Sequence, residues 1–286
     1  MAPAPDRDTV KAQLAKTRAA LTEAGIAYGW LDAEVLLAHV LRSTRERLHS
    51  HPERRLTAEQ RQRLSRLTRR RVARVPVPYL IGEREFYGQM LVVRPGVLIP
   101  RPETELVVEL AIEWLKTHPN ARRIIDLGTG SGAVAIALAK AVPHIRIEAR
   151  DVSTRALRVA AENIARHRLR RRVTTVRADL LKGGAPADVI LANLPYIPEA
   201  LRRVRPKELD YEPALALDGG KDGLDLIRDA LAQAPAALKP SGLALFECDP
   251  AQVRRVVRLA QRQWPSATIS VHKDLAGLDR VVRIQT

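Results

Sequence analysis

The sequence is poor in cysteine, in aromatic residues and in long apolar runs, and each shortage excludes something. Its single cysteine, Cys248, rules out an internal disulfide and fits a reducing compartment. No stretch approaches the roughly 18 uncharged apolar residues that a membrane-spanning helix needs. The opening Met1-Ala-Pro-Ala-Pro-Asp6 lacks the basic-then-apolar order of a signal peptide, so a cytoplasmic protein is expected. Its 7 histidines include no HxxxH pair and no cysteine partner. His49 and His51 therefore read as loop residues, and no metal is expected. Phe, Trp and Tyr together make up 3%, a thin supply of platforms for stacking unpaired bases.

What is present is charge, and enough apolar material for a real core. At 286 residues, 46% hydrophobic and 28% charged, the chain is globular and long enough for one large domain or two smaller ones. Lys and Arg outnumber Asp and Glu by 48 to 32, a formal charge of +16. The excess is concentrated in Arg61, Arg63, Arg66, Arg69, Arg70, Arg71 and Arg74, and again in Arg166, Arg168, Arg170, Arg171, Arg172 and Arg177. Such patches suit RNA or an acidic partner, and a solvated helix face accounts for them equally well.

Residues 1–75 read as a helical bundle. Val10, Leu14 and Leu21 fall near one helical face, and Asp32 precedes the next apolar run as its N-cap. Ser43-Thr44-Arg45-Glu46 and Thr57-Ala58-Glu59-Gln60 read as capping boxes, and Gly25 and Gly29 as punctuation. Val75-Pro76-Val77-Pro78 then ends the helical region, because prolines disfavour helix on both sides. Residues 76–98 form a linker with a hairpin over Phe86–Val93, and a second domain covers 99–286.

In that second domain a helix from Glu103 leads into a strand that ends at Asp126 and breaks into Gly128-Thr129-Gly130-Ser131-Gly132, before an Ala-rich helix. Glycine lets the backbone approach a ligand closely, and the helix start offers unpaired N–H groups. Strands and helices alternate from there onward, which predicts an α/β domain with a mostly parallel sheet covered on both faces. Asp151, Asp179 and Asn193 fall at the ends of the next three strands, Ser153 caps the helix after Asp151, and strand ends of this kind share one rim.

Asp151 follows Asp126 at about the ~20-residue offset of an acid that accepts hydrogen bonds from a ribose. An acceptor-only carboxylate suits two hydroxyls and repels a 2′-phosphate, so both NAD and S-adenosylmethionine fit. Asn193-Leu194-Pro195-Tyr196 separates them. A rigid turn with an amide oxygen, nearby backbone carbonyls and an aromatic face can grip a planar NH2 group. Such a nitrogen is a poor nucleophile, and holding it in line with a methyl sulfonium supplies the orientation it lacks.

With these residues in place, the chain resembles the class I S-adenosylmethionine methyltransferases, and more closely the HemK (PrmC) family of release-factor glutamine methyltransferases. The resemblance rests on Gly82-Glu-Arg-Glu-Phe86-Tyr-Gly, Val97-Leu-Ile-Pro-Arg-Pro-Glu-Thr-Glu105, Asp126 to Gly132, Asn193 to Pro198, Asp218-Gly-Gly-Lys-Asp-Gly223 and Lys273 to Arg280. It implies a Rossmann-like, seven-stranded methyltransferase sheet behind a small N-terminal helical domain that grasps the release factor. It implies methyl transfer from S-adenosylmethionine to the glutamine nitrogen of the factor's Gly-Gly-Gln motif. Gly128, Thr129, Gly130, Ser131 and Gly132 would wrap the cofactor's amino-acid end, Asp151 the ribose, with Asp179 and Leu180 near the adenine. Asn193 would grip the substrate amide against the cofactor, with Leu194, Pro195 and Tyr196 shaping the pocket. The Ile99–Glu103 segment, with Arg101 and Glu103, would close over it. A monomer is expected. Leu194 departs from the family's usual Asn-Pro-Pro-Tyr and matches the form found in ribosomal RNA dimethyladenosine transferases. RNA adenine, a glutamine of a ribosomal protein, and a catalytically silent module on the same fold therefore stand as alternatives.

Overall fold

Val10, Leu14 and Leu21 recur at helical spacing, and helix α1 (Val10–Glu23) buries all three. The protein is described here by a computed structural model covering residues 7–286, without the side chains of Arg202 and Arg203. The Met1–Asp6 start lies outside the described residues. The chain divides into two units, Met1–Gly82 and Glu83–Thr286. No helix among the described residues is long and apolar enough to cross a membrane.

The first unit holds α1, α2 (Gly29–Leu41), α3 (Arg45–Ser50), α4 (Ala58–Val72) and α5 (Val77–Ile81). Gly29 sits inside α2, where a Cβ would lie 2.9 Å from Leu21 Cβ; it permits a close crossing of α1 and is no punctuation mark. Asp32 is not a cap either. The helix begins one turn earlier, after Tyr28, and the Asp32 carboxylate accepts from Arg71 Nε of α4 at 2.7 Å. In the first predicted box the cap is Thr44, not Ser43, and its hydroxyl accepts from the Arg47 N–H. The second box forms as expected, with Thr57 and Gln60 bonding each other's N–H groups at 2.9 and 3.2 Å. The prolines do not end the helical region, because Pro78 stands in the first turn of α5, where its missing N–H costs nothing.

The second unit begins with an antiparallel hairpin, β1 (Glu83–Phe86) and β2 (Gln89–Val92), which turns at Tyr87-Gly88. After α6 (Glu105–Thr117) come β3 (Arg123–Leu127), α7 (Ala133–Ala141), β4 (Arg146–Asp151), α8 (Thr154–Arg166) and β5 (Val173–Arg177). The chain continues with β6 (Ala187–Ala192), α9 (Asp225–Ala237), β7 (Leu238–Glu247), α10 (Val253–Gln263), β8 (Thr268–Lys273) and β9 (Asp279–Gln285). The seven strands after the hairpin form one sheet in the order β5-β4-β3-β6-β7-β9-β8. All pairs from β5 to β7 are parallel, and β9 alone runs against its two neighbours.

Both faces of the sheet are buried. Ile124, Val189, Leu191 and Leu245 face one core with α6 and α7, while Ile125, Ile190, Ala244 and Phe246 face the other with α9 and α10. This is why Val189–Ala192 of β6 and Leu243–Phe246 of β7 are continuous apolar runs rather than alternating ones. The strand order changes direction between β3 and β6, so the crevice beyond their carboxyl ends is where such a sheet receives a ligand.

Candidate active site

Neighbouring strands β5, β4, β3 and β6 deliver Asp179, Asp151, the glycine loop and Asn193 to one rim. The loop leaves β3 with the Gly128 and Thr129 N–H groups both donating to the Arg150 carbonyl at 2.9 Å. Gly128, at φ +72°, lies in the left-handed region. A Cβ there would meet Leu194 Cδ2 at 3.2 Å and the Asn193 carbonyl at 3.4 Å, so glycine lets the loop settle on the Asn193 turn. Asp126 anchors the loop from beneath: buried, it accepts from Thr129 Oγ1 at 2.6 Å and from the Ala135 N–H at 3.2 Å. Burial pushes its carboxyl up to about 6 against those two donors, with the nearby Asp151 charge adding to the rise.

Asp151 accepts from the Gly130 N–H at 3.0 Å on one oxygen and from the Ser153 N–H at 2.8 Å on the other. It is not the cap of α8, since Ser153 takes that role through the Ala156 N–H. The carboxylate thus keeps acceptor capacity for a ligand hydroxyl. Burial pushes the Asp151 carboxyl up, and the backbone donors of Ser153, Gly130 and Val152 pull against it.

A cleft of about 140 Å³ opens over these groups, lined by Gly128, Gly130, Asp151, Asp179, Leu180 and Asn193. Leu194 and Pro195 continue its wall, with Val97, Val152 and Leu226 adding apolar surface. Leu180 holds φ +54°, unusual for a leucine, and so marks a constrained backbone at the cleft. Asp179 is mostly exposed and paired with Lys182.

The other site candidates lie apart from that cleft. Thr129 and Ser131 are buried and line a smaller hollow on the far side of the loop with Asp126 and Thr104. Gly132 is a packing residue, since a Cβ there would sit 3.3 Å from Ala160 Cβ of α8. Tyr196 and Arg101 line a second cleft of about 170 Å³ that also touches Asn193, Leu194 and Pro195. Glu103 is exposed and lines none of these openings; its charge acts only at a distance, on Tyr196 and Glu247. Asn193 and Leu98 line all three.

Asn193 Nδ2 donates to Thr104 Oγ1 at 2.8 Å. Tyr196 donates its hydroxyl to Glu247 Oε1 at 3.3 Å, and burial beside that carboxylate holds the phenol well above its ordinary value. The Asn193–Pro198 turn is clamped from outside by the 217–223 segment. The Ile197 N–H donates to the Leu217 carbonyl, the Gly219 N–H to the Ile197 carbonyl, both at 3.0 Å, and Gln252 Nε2 to the Tyr196 carbonyl at 2.9 Å. Buried Glu212 ties down the 99–101 segment through the Ile99 N–H at 2.9 Å and the Arg101 guanidinium.

Sequence reasoning missed Thr104, Glu212 and Glu247. Glu247 carried a usable signal, an acid directly after the apolar run Leu243–Phe246, as Asp126 follows Ile124-Ile125 in β3. Thr104 lay inside a quoted motif without a role. Glu212 had none, since its partners are more than a hundred residues away in sequence. Cys248 is fully buried with its thiol pushed up to about 12, so it is packing material and not a nucleophile.

Known proteins similar to this chain point to one family. Residues 13–82 match the PrmC N-terminal domain, and residues 103–204 match the methyltransferase small domain. The release factor glutamine methyltransferase of Geobacter sulfurreducens is 37% identical over 97% of this chain and 97% of its own length. That of Moorella thermoacetica is 39% identical over 95% of this chain and 96% of its own. Among solved structures, a methyltransferase from Pyrococcus furiosus superposes with a TM-score of 0.50 at 18% identity, covering 68% of this chain and 87% of that one; this shows the shared fold alone. The glycine loop, the strand-end acid and the Asn-x-Pro-Tyr turn sit in a chain whose relatives match it nearly end to end: it belongs to the release factor glutamine methyltransferase family.

Proposed function

We propose that this protein transfers a methyl group from S-adenosylmethionine to the side-chain nitrogen of the glutamine in the Gly-Gly-Gln motif of peptide-chain release factors. The observation that carries the reading is the placement of Asn193 at the meeting point of the two clefts, with its NH2 side engaged by Thr104. The amide oxygen is then the group that faces a ligand's N–H.

The residues present fit the cofactor. Asp151 keeps acceptor capacity for the ribose hydroxyls, and Leu180 and Val152 offer apolar surface for adenine, with Asp179 at its edge. A Cβ on Gly130 would meet no neighbour closer than 3.9 Å, so its bare backbone leaves room for the amino-acid end beside Gly128, Thr129, Ser131 and Gly132. When bound, S-adenosylmethionine supplies an electrophilic methyl whose bonding pair to sulfur remains on sulfur as a thioether.

The chain's own residues do the rest. Asn193 Oδ1 accepts one hydrogen of the glutamine NH2, and a backbone carbonyl of the Leu194-Pro195 turn accepts the other. Two acceptors hold that nitrogen with its lone pair directed at the methyl and push density back onto it, which is the orientational part of the rate. Pro195 stiffens the corner, and Tyr196 forms the wall of the second cleft. The methylated nitrogen sheds its extra proton to water, so no strong base is needed. Arg101 borders the entry for the peptide, and Glu103, outside the clefts, meets the bound factor. The N-terminal helical domain grips the release factor, and the protein works as a cytoplasmic monomer.

The test offers labelled S-adenosylmethionine with a release factor, the same factor with its glutamine changed to alanine, large-subunit ribosomal proteins and naked ribosomal RNA. Label is expected in the unaltered factor alone. Label in the alanine variant, a ribosomal protein or the RNA would overturn the substrate.

A further inference from the structure

Behind Asn193 lies a buried polar array that neither the motif nor the cofactor cleft requires. Glu247 ends β7, next to β6 in the sheet, and is 1% exposed. Its Oε1 accepts from Tyr196, while its Oε2 is buried without a hydrogen-bond partner. Thr104 is also buried; its Oγ1 takes the Asn193 N–H, and its hydroxyl pulls the Glu247 carboxyl down against burial. Burial raises the Glu247 carboxyl most; Thr104, the Arg280 charge and Tyr196 lower it, and the Glu103 charge raises it. Arg280 is fixed there by Asp274, which accepts from its Nε at 3.1 Å.

A buried carboxylate with an idle oxygen is costly to keep, and its retention calls for an explanation. The directionality of the hydroxyl supplies one. A threonine oxygen that accepts from Asn193 must send its own proton elsewhere, and Glu247 is the acceptor at hand. With that proton committed, Thr104 can only accept from Asn193, so the flipped carboxamide, which would present NH2 to the substrate, finds no donor behind it. Tyr196, the residue that follows Pro195, is held by the same carboxylate.

We propose that Thr104 and Glu247 are positioning residues for methyl transfer: Thr104 fixes the Asn193 carboxamide with its oxygen toward the substrate nitrogen, and Glu247 fixes Thr104 and Tyr196 from behind. This rests on the reading of Asn193 as the substrate-gripping residue.

The test compares Thr104→Val, which keeps the shape and removes the hydroxyl, with Thr104→Ser, which keeps the hydroxyl, in the full chain. Thr104→Val is expected to lower kcat on a Gly-Gly-Gln peptide by about 10- to 100-fold, with calorimetric S-adenosylmethionine affinity held within about twofold. Thr104→Ser is expected to recover kcat to within about threefold. Added to Asn193→Ala, Thr104→Val should cost nothing further, since both act through one contact. A substrate-free readout is proton exchange at the Asn193 side-chain amide, identified in NMR spectra by its loss in Asn193→Ala. It should be slow in the native chain and in Thr104→Ser, and fast in Thr104→Val.

If Thr104→Val does not fold, Thr104→Ala removes the same hydroxyl and is read the same way. A kcat within about twofold of native, a serine variant as slow as the valine one, or unchanged exchange at Asn193 would overturn the inference. Glu247→Gln, which keeps the side chain's shape, should lower kcat by about 3- to 10-fold and speed the same exchange; no change in either would overturn the part given to Glu247. A native chain that methylates no glutamine overturns the function and the inference together, whereas native turnover with an indifferent Thr104→Val overturns the inference alone.

Discussion

If Asn193 grips the substrate nitrogen and not the cofactor, as proposed, its loss has a definite signature. Asn193→Ala is expected to reduce kcat by about 100- to 1000-fold, the scale of a lost oriented hydrogen bond at the reacting atoms. Calorimetric affinity for S-adenosylmethionine should stay nearly intact. A fall in affinity that matched the fall in rate would remove Asn193 from the chemistry. Asp151 should behave oppositely, because its proposed hold on the cofactor's ribose is made in ground and transition states alike. Asp151→Ala should weaken cofactor binding by about 10-fold or more, read by calorimetry, and an unchanged affinity would take it out of the site. Asn193 was legible because it follows the apolar run of β6, and Asp151 because it closes an alternating strand; at both places a strand stops and a side chain can face outward. Thr104 and Glu247 were harder to see, since their roles exist only after β7 has been laid beside β6 and the 99–105 segment folded over both.

At the scale of elements, the site depends on segments that touch no ligand. The 217–223 loop clamps the Asn193–Pro198 turn, and Gly223 stands against the Tyr196 carbonyl and Gln252 Nε2 with φ +77°. Gly223→Ala would place a methyl group against both and strain the backbone. The expected result is a loss of about 1–3 kcal/mol in unfolding free energy, with a fall in kcat that exceeds any change in cofactor affinity. Equal denaturant midpoints and equal kcat for variant and native would show that the clamp is loose. The mostly parallel sheet and the helices over both faces were readable from the alternation after Arg123, because buried parallel strands need unbroken apolar runs. Helix starts were read less well. Asp32 looked like a cap because it precedes an apolar run, yet Arg71 takes its carboxylate and the helix starts at Gly29 to cross α1 closely. Pro78 looked like a terminator, and a first-turn position made it harmless. In both cases a partner remote in sequence, or the place of a residue within its turn, decided against a local rule.

Over the whole molecule, several buried acids make stability depend on pH in a definite direction. Asp126 is raised from 3.8 to about 6, and Glu247 from 4.5 to about 7, both chiefly by burial. The folded chain therefore holds protons that the unfolded chain has already released. The stability these two groups contribute is full at low pH and is lost as pH rises from about 4 to about 7. Asp188, Asp222 and Asp274 are shifted the other way and oppose it, so the clean measurement is a difference. Relative to the native chain, Asp126→Asn and Glu247→Gln should gain stability between about pH 5 and about pH 8, measured by urea midpoints. A difference that stays constant across that range would show that neither carboxyl titrates there.

The formal charge of +16 belongs to this scale as well. Part of the first arginine cluster is spent inside its own unit, with Arg61 on Asp8, Arg71 on Asp32 and Arg74 on the Ala24 carbonyl, while Arg66, Arg69 and Arg70 remain exposed. Charge of that kind favours association with acidic partners without naming one. The substrate is named by chemistry at the rim of the sheet, and the most direct measurement is a fragment-ion mass spectrum of a release factor treated with S-adenosylmethionine and this protein. One methyl group on the glutamine of the Gly-Gly-Gln motif, present with the native chain and missing with Asn193→Ala, is the predicted result. A factor that gains no methyl at that glutamine, or gains it equally from the Asn193→Ala variant, would contradict the account.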